Sequence, residues 1–299
     1  MCEGGFAKKV LACETPAGGG EISLELGRWR IRVAGLDGAL VSGLASRWRP
    51  FVAEGGGACT LLLRAVRGAP GLWLPHWERM ERYRVEGTLE GGRPCVRSYH
   101  FAMTPEDDPR AWRLALADAP DEPAERIVEN AVRCAVVRLA ASEGGLAIHA
   151  AGALREGRAY LLAGPSRSGK TTAVALSRGV AEDLGDDLAV ILPEGGAWAA
   201  PALPFASFEQ APPKPPGSLF PVAGIFRLFR AEEPRLEELT PVLATASLVS
   251  CAALPHAIPD LADAVLECAR RYVDTGRFAH LHFRRTPDFW RLLDPRGGG

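Results

Sequence analysis

The stretch LLAGPSRSGKTTAV, residues 161–174, constrains the fold more than any other part of the chain. An apolar run enters a loop of small residues, and Lys-Thr-Thr then leads into a helix-compatible segment. From Gly164 through Gly169, Lys170 and Thr171 the spacing is G-x-x-x-x-G-K-T, the phosphate-cradling P-loop pattern. Such a loop functions between a strand and a helix. Its glycines let successive backbone N–H groups converge on phosphate oxygens, where a helix start carries partial positive charge. The pattern therefore implies an α/β architecture in which Gly164, Pro165, Ser166, Arg167, Ser168, Gly169, Lys170, Thr171 and Thr172 surround the phosphates of a bound nucleotide. Lys170 would reach the β- and γ-phosphates, and the Thr171 hydroxyl would ligate Mg²⁺.

A second feature follows at short range. Gly185-Asp186-Asp187 stands sixteen residues after Lys170 and precedes the apolar run LAVIL. Two adjacent carboxylates at the start of a strand, one helix beyond the loop, are placed to reach the metal and the γ-phosphate. One would bind Mg²⁺ and the other accept the proton of an attacking hydroxyl, with the division of roles open. Motor and switch classes recede. Only 129 residues follow Lys170, and neither L-S-G-G-Q nor N-K-x-D occurs.

The flanking sequence divides into two parts. Residues 1–120 read as a β-rich domain: a hairpin over 22–35 turning at Leu26-Gly27, a strand over 58–66, and paired strands over 83–103 turning at Glu90-Gly91-Gly92. Trp48, Trp73 and Trp77 read as core or rim aromatics. The acidic, proline-punctuated 104–123 reads as the boundary region, and 121–299 as the catalytic domain. There a helix carrying Ile127, Ala131, Cys134, Ala135 and Leu139 on one face ends near Gly144-Gly145. Strands LAIHAAGAL and AYLLAG, the loop, a helix over 170–178 and the strand GDDLAVIL come next. A proline-rich segment then reads as irregular. It is followed by the strand AGIFRLFRA, one or two helices, the strand FAHLHFRR and a short terminal helix. On that last strand His280, His282 and Arg284 share a face by period-two alternation.

Bulk properties exclude several classes. Lys plus Arg (35) nearly balances Asp plus Glu (36), so no global basic field points to nucleic acid or an anionic membrane. Seven scattered cysteines without a C-x-x-C pair argue against a disulfide framework or a zinc site. No signal-peptide core and no apolar run of about 20 residues occurs, which leads us to expect a cytoplasmic protein.

Taken together, HAAGALREGRAYLLAGPSRSGKTT and LGDDLAVI resemble the HPr kinase/phosphorylase superfamily, itself related to the phosphoenolpyruvate carboxykinases. In that family a strand carrying His precedes the loop and an Asp pair opens the next strand. Here His149 lies fifteen residues before Gly164. The likeness is strongest over 125–195 and extends to the compact HPr-kinase-like proteins of peptide natural-product clusters, such as the lasso peptide tailoring kinases. The resemblance implies an HPr kinase-like domain with a mostly β central sheet and flanking helices. It implies ATP- and Mg²⁺-dependent phosphorylation of a serine hydroxyl on a peptide or protein, with His149 beside the phosphates. Two departures stand out: Arg167 occupies a position where many relatives have glycine, and the arginine-bearing signature after the Asp pair is missing. Lys214, flanked by Pro212, Pro213, Pro215 and Pro216, is the substitute cation in that loop. Two other readings remain open, a non-catalytic ATP-binding regulatory module and a kinase for a small-molecule hydroxyl, as does homo-oligomerisation.

Overall fold

The computed structural model describes residues 5–54, 57–70, 73–74, 84–118, 122–205, 215 and 217–293. The described residues form seven α-helices and two sheets, a mixed α/β architecture. The chain makes two compact units. One comprises Met1–Arg138, Pro215–Gly217 and Leu254–Ala262, and the other Leu139–Lys214, Ser218–Ala253 and Asp263–Gly299.

The first unit runs α1 (Phe6–Leu11), β1 (Gly20–Leu26), β2 (Trp29–Leu36), α2 (Gly38–Arg47), β3 (Leu61–Pro70), β4 (Val85–Glu90), β5 (Arg93–Ser98), β6 (Phe101–Pro105) and β7 (Ala111–Asp118), and most of α3 (Ala124–Ser142). Its seven strands lie in the order β1-β2-β3-β7-β6-β5-β4. Alternation sets the first hairpin: Ile22, Leu24, Leu26, Trp29, Ile31 and Val33 are buried, and Gly27 takes φ 59° in the turn. Gly91 and Gly92, at φ 59° and 79°, turn β4 into β5. Trp48 is fully buried, and Trp73 packs edge-on against Phe6 with centroids 5.6 Å apart. Trp77 lies outside the described residues.

The segment read as a boundary contains β7, an interior strand parallel to β3 and antiparallel to β6. Its flanks are acidic and proline-bearing, but Ala111, Trp112, Leu114 and Ala115 between them are buried. Helix α2, GALVSGLASR, carries little helical signal in its sequence. Two glycines and two serines weaken its propensity. Asp37 caps it by accepting from the Leu40 N–H at 2.8 Å, and Leu40 and Leu44 are buried one turn apart.

The second unit contains β8 (Leu146–Ile148), β9 (Ala150–Arg155), β10 (Arg158–Ala163), α4 (Lys170–Leu176), β11 (Glu182–Gly185), β12 (Ala189–Glu194), β13 (Ala197–Pro201), β14 (Leu219–Arg230), β15 (Arg235–Glu237), α5 (Pro241–Val249), α6 (Ala262–Thr275), β16 (Phe278–Phe283) and α7 (Trp290–Leu293). Seven strands run in the order β11-β9-β10-β14-β13-β12-β8. β16 also pairs with β14, and β15 with β16. β14 is parallel to both β10 and β16. Leu162, Phe226, Leu228, Leu281 and Phe283 bury one sheet face with Ala173, Phe289, Trp290 and Leu293. The Trp290 indole N–H donates to Ser177 Oγ at 2.9 Å inside this core.

Three readings change here. AWAAP, expected to be irregular, is β13. The Gly195-Gly196 turn precedes it, and Trp198 is buried against Tyr272 at 5.3 Å between ring centroids. LAIHAAGAL is two strands split at His149, because β8 pairs with β12 whereas β9 pairs with β10 and β11. GDDLAVIL is likewise split: β11 ends at Gly185 and β12 begins at Ala189.

Candidate functional site

The two strand breaks meet. His149 donates its backbone N–H to Cys251 O at 2.8 Å, and its own carbonyl accepts from Gly164 N at 3.1 Å. Its ring Nδ1 lies 3.4 Å from the backbone carbonyl of Asp187. One half-buried residue therefore ties together the end of β10, the gap between β11 and β12, and the turn after α5.

From Ala163 the chain turns through Gly164, at φ 152°. A Cβ there would lie 2.6 Å from Ser168 Oγ. Pro165, Ser166 and Arg167 are exposed, Arg167 at φ 67°, and Ser168 N–H closes the turn on Pro165 O at 3.2 Å. Gly169, at φ 104°, precedes α4, and a Cβ on it would meet the Phe283 ring at 2.8 Å. The loop closes back on itself: Lys170 Nζ donates to Gly164 O at 2.9 Å and Pro165 O at 3.0 Å. Burial holds the Lys170 ammonium below its ordinary pKa, opposed by the negative charges of Asp187 and Asp186. Among the described residues Ser168 Oγ is buried without a hydrogen-bond partner, an orphaned polar atom inside the turn.

The carboxylates stand opposite Lys170 and Thr171. Thr171 Oγ1 donates to Asp186 Oδ2 at 3.3 Å, while Asp186 Oδ1 accepts the Asp187 N–H at 2.8 Å. Asp187 holds φ 76°, a left-handed conformation that costs a non-glycine residue about 1–2 kcal/mol. Two of the four non-glycine residues with positive φ among the described residues, Arg167 and Asp187, thus flank this site. Strained backbone of this kind clusters where geometry serves function. The arrangement brings a hydroxyl, two carboxylates, an ammonium and a ring nitrogen together beside the loop that follows β10.

Beyond Gly169 and Thr172 a cleft of about 400 Å³ opens, also lined by Arg230, Ala231, Glu232, Phe283, Arg284 and Arg285. Arg230 donates to Arg167 O at 3.2 Å. Arg284 is paired with Asp288 at 2.6 Å, so the face shared with His280 and His282 does not extend to it as an open patch. His282 Nε2 donates to Glu237 Oε2 at 2.7 Å, and this bond is the main reason the Glu237 carboxyl sits below its usual range. His280 Nε2 lies 2.8 Å from Ser247 Oγ, and burial lowers its pKa. Lys214 lies outside the described residues.

Sequence reasoning passed over Arg227. It sits in β14 opposite Ala163, the residue before Gly164, and its guanidinium reaches the end of α5. The only signal for it was a charge inside the apolar strand AGIFRLFRA. Among the described residues no group of three or more His, Cys, Asp or Glu side chains is arranged to hold a metal ion. Nor is any helix of the described residues long and apolar enough to cross a membrane.

Residues 116–257 match the family model described as "SynChlorMet cassette protein ScmC". The matched segment, a little under half of the chain, takes in His149, the glycine-rich loop, the Asp pair and Arg227. No curated protein matches the chain.

Proposed function

We propose that the second unit is an HPr kinase-like P-loop domain that transfers the γ-phosphoryl group of ATP to a serine hydroxyl of a peptide or protein. The observation that carries this reading is the contact of Thr171 Oγ1 with Asp186 Oδ2 at the start of α4, with Lys170 held beside the same carboxylates. The loop fits a phosphate chain. Among the described residues Ser168 Oγ is a buried atom without a hydrogen-bond partner, and Lys170 Nζ donates to two carbonyl oxygens of its own loop. Hydroxyl and carboxylate oxygens are the donor set that suits Mg²⁺. When bound, that ion would neutralise charge on the phosphate oxygens.

In this reading Asp186 serves the metal side, because Oδ2 faces Thr171 and Oδ1 is fixed by the Asp187 N–H. Asp187 serves as base. As the acceptor oxygen bonds to the γ-phosphorus, the bond to the bridging oxygen breaks, its electron pair leaves with ADP, and the hydroxyl proton passes to the Asp187 carboxylate. Lys170 and the loop N–H groups stabilise the charge that develops. His149 holds Asp187 through its backbone carbonyl, so its role is positioning. The cleft beyond Gly169 and Thr172 receives the nucleoside end, leaving the Asp edge open to the acceptor. Support for a peptide acceptor comes from the resemblance to kinases of peptide natural-product clusters.

The test compares MgATP binding by calorimetry with ATP consumption in Asp186→Asn and Asp187→Asn. Asp186→Asn should weaken the Mg²⁺ dependence of binding. Asp187→Asn should leave binding intact and lower turnover by about 10²–10⁴-fold, the usual share of a general base. Full turnover in both variants would refute the assignment.

A further inference from the structure

Arg227 departs from its surroundings in a way the loop and the Asp pair do not explain. It is a half-buried charge in the middle of a sheet whose neighbouring positions are Phe226 and Leu228, both buried. Among the described residues no carboxylate pairs with it. Its Nη1 donates to Ser247 Oγ at 2.9 Å, to Ser250 Oγ at 2.8 Å and to Ser247 O at 3.4 Å, and its buried Nε has no partner among the described residues. The Phe229 ring lies under the guanidinium, 5.5 Å from centroid to Cζ. A cation held by neutral oxygens keeps its full charge, and burying it without a counter-ion is costly unless an anion arrives.

Its position says where that anion would be. The parallel register sets Arg227 beside Ala163, the last residue before the glycine-rich loop. The neighbouring Cys251 thiol lies within electrostatic reach of both Arg227 and Lys170. The Cys251 carbonyl accepts from His149 N, and the His149 carbonyl accepts from Gly164 N, which links the α5 turn to the loop by two backbone bonds. Lys170, from α4, and Arg227, from β14, therefore both lie within electrostatic reach of Cys251.

We propose that Arg227 is a second cation of the phosphate site, contacting the terminal phosphate of the bound nucleotide, and that Ser247, Ser250 and His280 hold its guanidinium in place. This rests on the nucleotide reading above and adds to it a second cation. Ser247 Oγ accepts from Arg227 and lies 2.8 Å from His280 Nε2. With its lone pair given to the arginine, the hydroxyl directs its proton to a neutral His280. The charges facing His280 are Glu237 and His282 on β15 and β16 and Arg227 on β14. Its protonation would remove the acceptor for the Ser247 proton and add a positive charge beside Arg227.

The experiment is calorimetric titration of the full chain with MgATP and, separately, MgADP, for wild type, Arg227→Ala, Arg227→Lys and Ser247→Ala. Thermal melts without nucleotide verify that each variant is folded. Arg227→Ala should weaken MgATP by roughly ten- to a hundredfold, the range for a lost charged hydrogen bond. MgADP should stay within about twofold, since it lacks the terminal phosphate. Added guanidinium ion should restore part of the MgATP affinity. Ser247→Ala should reduce the same ATP-over-ADP preference by a smaller factor. Should Arg227→Ala fail to fold, Arg227→Lys carries the test, because it keeps the charge and loses the fork. Equal weakening of both nucleotides, or of neither, overturns the assignment of Arg227 and leaves the nucleotide site standing. If wild type binds neither nucleotide, the nucleotide reading fails and the role of Arg227 with it.

Discussion

Replacing Gly169 with alanine tests whether the loop is rigid, and its cost follows from two independent terms. The residue holds φ 104°, a region that costs an L-residue about 1–2 kcal/mol. The new Cβ would also stand 2.8 Å from Phe283 Cζ. That ring cannot yield cheaply: Phe283 is 3% exposed and packs edge-on against Phe289 at 5.8 Å between centroids. Overpacking of this kind costs about 1–3 kcal/mol. Together the substitution should destabilise the unit by about 2–5 kcal/mol, a large part of the 5–15 kcal/mol typical of a folded domain. Gly179→Ala provides the control. Gly179 has φ 84° with nothing within 4 Å of the added Cβ, so only the backbone term applies. Urea denaturation of both variants isolates the steric term as the difference. A difference below about 0.5 kcal/mol would show that Phe283 gives way freely, and the rigid-loop reasoning would be wrong.

Two further outcomes follow from the same geometry. Phosphate bound beside Lys170 should raise its depressed pKa, so the protonated lysine is the binding form. MgATP affinity should then hold at neutral pH and decline as pH rises through the free-state Lys170 pKa, which lies below 10.5. Calorimetry in two buffers of different ionisation enthalpy should register proton uptake in the alkaline part of that window, and its absence would contradict the burial of the ammonium. In the core, Ser177→Ala should strand the Trp290 indole N–H and cost about 1–3 kcal/mol in urea denaturation. A cost near zero would mean that the indole finds another acceptor.

The sequence revealed what rests on local chemistry. Glycine spacing marked the loop because φ values such as those of Gly164 and Gly169 exclude side chains. Alternation marked β1 and β2 because one face of each is buried. What stayed hidden depends on pairing between distant segments. Nothing in HAAGAL signals that β8 and β9 choose different partners and part at His149. Proline and acid around RAWRLALAD concealed an interior strand, since burial is decided by β3 and β6. Arg227 looked like a stray charge because its meaning comes from Ser247 and Ser250, twenty or more residues away. The Asp pair was visible as a pair, but the division between its members is suggested only by the contacts of Asp186.

Phosphoryl transfer is read out by mass spectrometry of the acceptor. The full chain is incubated with MgATP carrying a labelled γ-phosphoryl group and serine-containing peptides, beside Lys170→Ala and Asp187→Asn. The label is expected on a serine hydroxyl with wild type and is expected to be lost with both variants. Undiminished nucleotide binding by wild type with no label on any peptide, or labelling that survives Asp187→Asn, would contradict it.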